Sequence, residues 1–451
     1  MKKRLISLLL AAMMALALMT GCGSGGRSSE ESEADSKGGT IASKDESKDS
    51  PGAELIVSWW GNQTRNERTQ QVMDLYTQNN PKVTFDGQFA EWADYWNKLS
   101  TASAGHTLPD VVQMDYKYLE QYVSNDLLAD LTPYIENGTL DVSGIDENIL
   151  NSGKVNDGLY AIPIGVNAPA LIYNKTLLDQ NGITIKDNMS LDEFTDLCKK
   201  IYDKTGYKTD IAYGQGDIFI EYTMRSLGAV LYEKGKLGAT QEQLQKFFEV
   251  YEKGISEGWM CDPSIYTERT IGTPEQMPLV YGSSPETMSW CAFSYSNALT
   301  ALQNAAPEGT EIELSTWPAD DEKAANYLRP GMFFSVTVDS KNPEAAVKFI
   351  NYWTNDVPAN EILLGERGVP ASSKVSEAIM DKMDESNIKI IRYINYVVTP
   401  TSSVINPPAP EGSAEVSKLV DQLVESVSYK QTTAKDAAAE LSQKGNAMLA
   451  E

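Results

Sequence analysis

The feature that most constrains this chain is the alternation of short apolar runs with amphipathic stretches between Glu54 and Asp115. Glu54–Trp60 is a compact apolar run suited to a strand buried on both faces. Gly61 and Asn62 break it, and a helix is expected from about Thr64, with Val72, Met73, Leu75 and Tyr76 on or near its apolar face. Asn79-Asn80-Pro81 stops that helix. Lys82–Phe85 reads as a second strand. Trp92–Ser103 reads as a second helix, with Trp92, Tyr95, Trp96 and Leu99 at helical spacing, and Leu108–Asp115 as a third strand. Such β-α-β-α-β order signals a parallel sheet covered by helices. Strand-like runs recur at Ala161–Ile164, Ala168–Tyr173, Met277–Tyr281, Met288–Phe293 and Phe333–Val338. Helical runs recur at about Ser190–Thr205, Gln241–Glu257, Pro343–Trp353 and Ala414–Tyr429. Over 451 residues this predicts two α/β lobes.

The first residues point to export. Lys2, Lys3 and Arg4 precede an apolar run from Leu5 to Met19, too short for a stable membrane span and suited to a signal peptide. Leu18-Met19-Thr20-Gly21-Cys22 resembles a bacterial lipobox, in which the cysteine receives a diacylglyceryl group. Residues 1–21 are therefore expected to be a lipoprotein signal peptide and Cys22 the lipidated residue, with an ordinary secretory signal as the alternative. Residues 22–52 are rich in Ser, Gly, Glu, Asp and Lys, and are expected to form a disordered tether. The expected location is the outer face of the cytoplasmic membrane of a Gram-positive-type bacterium, held by lipid alone.

Acidic residues outnumber basic ones by 63 to 38, for a net charge of -25. A surface of that sign repels phosphate backbones, so nucleic acid is not an expected partner. Its ordinary consequence is solubility, and steering of a cationic ligand is the alternative. Cys198, Cys261 and Cys291 remain after Cys22, with no CxxC pairing, and read as buried thiols that allow one disulfide at most. His106 is the only histidine, so no metal site with two histidine ligands is possible and a Ser-His-Asp triad would have to use it. No GxSxG, HExxH or Walker motif is present. No metal, cofactor or catalytic residue is expected.

Four stretches in register carry a family resemblance. They are Gly158-Leu-Tyr-Ala-Ile-Pro163 followed by Leu171-Ile-Tyr-Asn-Lys175, Asn342-Pro-Glu-Ala-Ala346, Gly365-Glu-Arg-Gly-Val-Pro-Ala371, and Leu108-Pro-Asp-Val111. Together they resemble extracellular solute-binding protein family 1, the maltose-binding-protein-like sugar-binding lipoproteins of ABC transporters, over about residues 53–451. The resemblance implies a two-lobed periplasmic-binding-protein-like fold of type II, with discontinuous lobes joined by a hinge and the ligand cleft between them. Crossings are placed near Ile164, Trp290 and Tyr352. Lobe 1 would then comprise residues 53–163 and 291–352, and lobe 2 residues 164–290 and 353–451. The implied function is capture of a carbohydrate, expected to be an oligosaccharide, by hinge closure and its delivery to an ABC permease by a monomeric receptor. A polyamine or other cationic solute is the alternative ligand, and a secreted glycoside hydrolase with paired carboxylates the alternative class.

A sugar offers an apolar C–H face and a belt of hydroxyls, so its site needs flat aromatics together with amides, carboxylates and guanidinium groups. Trp59 and Trp60 end the first strand and point to opposite faces, so one is expected in the core and one near ligand. Asn62 and Arg65 sit in the strand-to-helix turn, where each also reads as a cap or surface residue. Asp115, a hydroxyl acceptor, and Tyr116 end the third strand, and Asn167 lies just beyond the first crossing. Asp217 and Tyr222 lie where a loop enters a helix, with Tyr222 also readable as core. The resemblance adds Trp290 and Tyr295 as stacking residues. Met332 begins a strand near the ligand, and Arg367 is either a hydroxyl donor or a structural ion pair.

Overall fold

The computed structural model describes residues 52–450. The expected signal peptide, Cys22 and nearly all of the tether lie outside the described residues.

β1 (Ala53–Trp60) leads into α1 (Gln63–Asn79), started by Asn62, whose side-chain oxygen accepts the Arg65 N–H at 2.9 Å. β2 (Val83–Ala90), α2 (Trp92–Ala104), β3 (Val111–Met114) and α3 (Tyr116–Ser124) follow. β1 pairs in parallel with β2, from Ala53 opposite Val83 to Trp60 opposite Ala90, and in parallel with β3. β4 (Ile162–Asn167) and β5 (Pro169–Asn174) are separated by Ala168 alone. Next come α4 (Leu191–Thr205), α5 (Gly216–Ser226), α6 (Gln241–Glu257), β6 (Cys291–Tyr295), α7 (Ala298–Ala305) and β7 (Ile312–Ser315). β8 (Arg329–Val336), α8 (Pro343–Asn355), α9 (Val357–Leu363), α10 (Glu385–Arg392), α11 (Ser413–Ser428) and α12 (Ala434–Leu449) complete the main elements.

Two main sheets result, one for each lobe, beside two short two-stranded ribbons. The first has the order β2-β1-β3-β8-β4, with β8 antiparallel to both neighbours. The second is the antiparallel triplet β6-β5-β7. Leu55, Val57, Val111, Phe334, Phe349 and Trp353 belong to the core on one face of the first sheet. Trp60, Tyr95, Leu99, Val112 and Met114 form a smaller core on the other. The second lobe packs Phe194, Phe219, Phe247, Trp259, Trp290 and Trp317 with Val420 and Leu441.

Helices with strong end signals fall where expected. Ser190 and Glu193 close a capping box on α4, Thr240 and Gln243 one on α6, and both helices stop at a left-handed glycine, Gly206 and Gly258. The second lobe departs from the expected parallel pattern. Met277–Tyr281 forms no strand, because Pro278 inside the run lacks a ladder donor. β6 begins at Cys291 rather than Met288. α12 was not anticipated; its buried face is mostly small (Ala434, Ala437, Ala438, Gly445), a weak apolar signal.

The expected lobe boundaries also need correction. β4 stays in the first sheet to Asn167, so the first crossing is at Ala168 and not Ile164. β6 and β7, expected in lobe 1, pair with β5 in the second sheet. Trp353, α9 and Val369 pack with the first core rather than the second, because α8 and α9 lie against α1 and the first sheet. α10 already packs against α7 and β7 of the second lobe, Ile405 touches the second core, and α11 and α12 belong to it.

A buried polar network ties residues 366–367 to lobe 1. Arg65 Nε meets both Glu366 carboxylate oxygens, at 2.8 and 2.9 Å. Arg367 donates to Gln113 Oε1 at 2.8 Å and to Thr69 Oγ1 at 2.8 Å, with its guanidinium above the Trp353 ring. Burial pulls the Arg367 guanidinium down to about 9, partly opposed by Glu366.

Cys198, Cys261 and Cys291 are buried and unpaired. Near them Asp210 accepts the Tyr266 hydroxyl at 2.7 Å, and burial pushes its carboxyl up to about 6 against that bond and the Tyr213 N–H. The folded state thus holds this proton more tightly than the unfolded chain. The group's contribution is greatest below about pH 4 and is lost as pH rises through 6. Asp210→Asn keeps the acceptor and removes the charge. Its stability relative to the parent, from urea midpoints, should rise between pH 4 and pH 7 by on the order of 3 kcal/mol. A pH-independent difference would show that this carboxyl titrates normally.

Candidate functional site

The crossing at Ala168 positions a cleft. The Ala168 N–H donates to Ser296 Oγ at 3.2 Å, and the Ser296 N–H returns to Ala168 O at 2.8 Å, fixing the link between the sheets. A chamber of about 670 Å³ opens beside it. The first lobe contributes Asp115 and Tyr116 at the start of α3, Asn167 at the end of β4, and Arg329 at the start of β8. The second contributes Asp217 and Glu221 from α5, Tyr295 from β6 and Tyr327. Residues 405–409 run along its edge.

Asp115 caps α3, its Oδ1 accepting the Lys117 N–H at 2.9 Å. Tyr116 donates to the carbonyl of Asn406 at 3.0 Å, and burial, with Glu221 and Glu120 nearby, pushes its hydroxyl up to about 12. Tyr295 and Tyr327 hydroxyls lie 3.2 Å apart, and the Arg329 guanidinium stacks 4.4 Å from the Tyr295 ring centre. Register places Arg329 directly opposite Asn167. Arg225 clamps the edge segment, donating to Asn406 Oδ1 at 2.6 Å, Ser403 Oγ at 2.7 Å and Val404 O at 3.0 Å. Burial raises the Glu221 carboxyl and Asp217 adds to the rise; Arg225, Asn406 and Arg329 oppose it.

A second chamber of about 440 Å³ adjoins the first, lined by Arg65, Met332, Glu366, Arg367, Met383 and Ile390 among others, with Asn167, Asn297 and Gly331 lining both. The described residues contain no group of three or more His, Cys, Asp or Glu able to hold a metal. No described helix is long and apolar enough to cross a membrane.

Of the expected site residues, Asp115, Tyr116, Asn167, Asp217 and Tyr295 converge on the first chamber, and Arg65, Met332 and Arg367 on the second. The tryptophans do not reach either. Trp59 and Trp60 are both buried, because the first sheet is covered on both faces. Trp59 donates to Asn66 at 2.8 Å, and Trp60 packs among Trp92, Tyr95 and Trp96. Trp290 is sealed in the second core, bonded to Thr209 at 2.8 Å, and Tyr222 is sealed there too, donating to Trp317 O and Asn326. Asn62 is an exposed cap. Arg367 is a structural residue whose donors are taken by Gln113, Thr69 and Glu366. Sequence reasoning missed Glu221, Tyr327, Arg329 and Asn406. Glu221 was findable, four residues after Asp217 on one helix. Asn406 was not, since Val404–Pro410 carries no periodic pattern.

A family model described as bacterial extracellular solute-binding protein matches residues 70–387, well over half the chain. This chain belongs to that family, which is one of binding proteins. An extracellular solute-binding protein family 1 structure from Alicyclobacillus acidocaldarius subsp. acidocaldarius is similar to it with a TM-score of 0.81 and 24% identity, covering 90% of this chain and 100% of that one. A periplasmic oligogalacturonide binding protein from Yersinia enterocolitica is similar with a TM-score of 0.72 and 19% identity, covering 88% and 99%. These likenesses establish the two-lobed fold. Among curated relatives, the multiple sugar-binding protein of Streptococcus mutans serotype c is 21% identical over 308 residues, 63% of this chain and 67% of the relative.

Because Asp115 is both cap and cleft carboxylate, its two roles can be separated. Asp115→Ala should lower unfolding free energy in urea by about 1 kcal/mol, and Asp115→Asn, which caps equally well, should leave it unchanged. Equal loss in both would mean that the charge, not the cap, stabilises α3.

Proposed function

We propose that this protein is the extracellular substrate receptor of an ABC importer, capturing a carbohydrate between its lobes and delivering it intact to a permease. The observation that carries this reading is the convergence in one cleft of Tyr116 and Tyr295, the latter backed by the buried Tyr327, with amides, carboxylates and Arg329 drawn from both lobes. Phenol rings suit the C–H face of a sugar, and Asn167, Asn297, Asp115, Asp217 and Arg329 suit its hydroxyls. Closure of the lobes would bury the ligand from both sides and signal occupancy by shape. Sugar binders among the relatives, including those named for multiple sugars and oligogalacturonide, support the same class. In this reading the receptor is a monomer, makes and breaks no bond in its ligand, and is anchored by lipid on Cys22. Cys22→Ala should then move the protein from the membrane fraction to the medium, and persistent membrane association would discard the lipid anchor.

A second reading has its own support. Asp115, Asp217 and Glu221 face the chamber against Arg329 and Lys117, which favours a polyamine. Thermal denaturation against a panel of oligosaccharides and polyamines separates the two, since a ligand at a hundred times its Kd adds about 2.7 kcal/mol of stability. Stabilisation by a sugar is expected, and for that sugar Asp115→Asn should weaken binding by about 1–3 kcal/mol. Stabilisation by polyamines alone would replace the carbohydrate, and sugar cleavage at catalytic protein concentrations would sink the receptor reading.

A further inference from the structure

We propose that a groove on the second lobe, separate from the ligand cleft, binds a methylated ammonium ion between tyrosine rings and two carboxylates of α11. The site goes beyond the carbohydrate reading and does not depend on it.

The groove has a volume of about 410 Å³, inside the roughly 300–1,000 Å³ range of small-molecule sites. It shares no lining residue with either chamber of the cleft. α11 serves both places. Ser413, Ala414 and Ser417 at its start line the first chamber, and Asp421, Gln422 and Glu425 further along line the groove.

The rest of the lining is largely aromatic. Tyr213 sits between two left-handed residues, Ala212 at φ 45° and Gly214 at φ 70°. Its ring lies flat on that of Tyr266, with centres 4.0 Å apart and planes within 7°. An alanine in that conformation persists only where its surroundings over-determine it, so the turn holds Tyr213 in place. A Cβ at Gly214 would stand 2.8 Å from Ile271, which overlies the turn. Tyr429, just past the end of α11, is 41% exposed and Ile271 46%, so both are open to a ligand.

Three features of this lining favour a positive charge. Asp421 and Glu425 stand one turn apart on the same helix, where like charges repel. No lysine or arginine among the described residues lines the groove. The last turn of α11 carries no basic residue, so the negative end of its dipole is left uncompensated. The groups also converge: burial, then the nearby Glu425, Tyr429 and Asp421, push the Tyr213 hydroxyl well up.

The rings decide which cation. A calcium or magnesium ion needs several oxygen ligands, and the described residues hold no group of three or more acidic, His or Cys side chains able to supply them. Phenol faces attract cations electrostatically, and quaternary ammonium ions are the ligands that aromatic cages take. A methylated ammonium offers apolar surface to Tyr213, Tyr429 and Ile271 and charge to Glu425 and Asp421. A bare, strongly hydrated ion uses only the carboxylates.

The test is proton NMR of choline titrated with the intact protein, beside dimethylbutanol, its uncharged isostere. The N-methyl resonance of choline should move upfield, as over a ring face, and saturate. Dimethylbutanol should bind about tenfold more weakly. Glu425→Gln and Tyr429→Leu, both at exposed positions, should each weaken choline binding by about threefold, and together by about tenfold. Asp115→Asn, in the cleft, should leave choline binding unchanged. Equal binding of dimethylbutanol, or displacement of choline by an equal concentration of sodium, overturns the site. So does a shift that survives the paired variant, a loss on Asp115→Asn that places the cation in the cleft, or no shift at all. The comparisons with dimethylbutanol and sodium use the parent protein and stand even if a variant fails to fold. None of these outcomes bears on the sugar panel.

Discussion

Everything in this molecule that concerns ligand depends on one short link. β4 and β5 are nearly continuous, yet one belongs to the parallel-based sheet of the first lobe and the other to the antiparallel triplet of the second. Ala168 between them is held by reciprocal bonds with Ser296, and the Tyr393 hydroxyl donates to the Pro169 carbonyl at 2.6 Å. The side chains along it are buried as well, Val166, Ala168, Ala170 and Ile172 lying in a core that touches both sheets. A chain crossing of this kind is where two-lobed folds absorb domain motion.

The cleft beside the link owes its polarity to element ends. Asp115 sits where α3 begins, Asp217 in the first turn of α5, Arg329 at the first residue of β8 and Asn167 at the last of β4. Chain ends of secondary structure leave backbone groups unpaired and side chains uncommitted to a core, so polar residues collect there. The opposite choice was made for the large aromatics. Seven side chains, Trp59, Trp259, Trp290, Trp317, Trp353, Tyr95 and Tyr222, are almost wholly enclosed and make the two lobes stiff bodies. Stiffness in the lobes and tolerance at the link are complementary requirements for a receptor that reports occupancy by changing shape.

The buried Arg65–Glu366–Arg367–Gln113 network has a different role. It joins segments some three hundred residues apart in sequence and fixes the C-terminal chain onto the first lobe before that chain departs to the second. Pairs this deep gain little net energy over apolar substitutes, but removing one partner leaves a costly unpaired charge. The network therefore specifies position more than it adds stability. Arg65 and Arg367 read from sequence either as ligand residues or as structural ones, a cap or surface residue and an ion pair, and only their geometry shows that their donors are already taken.

The sequence by itself determined the β-α-β-α-β start, the helices whose caps and glycine stops are local signals, the absence of His-rich or nucleophile motifs, and the family. These are short-range properties: hydrophobic period, capping chemistry and turn residues act within a few positions. It also singled out Asp115, Tyr116, Asn167, Asp217 and Tyr295, because strand ends and helix starts can be located from the pattern. Tertiary structure alone decided that Trp59, Trp60, Tyr222 and Trp290 are core, that β6 and β7 join the second sheet, and that Arg329, Tyr327 and Asn406 complete the cleft. Which face of a strand is covered, and which distant segments meet, depends on long-range packing that no local pattern records.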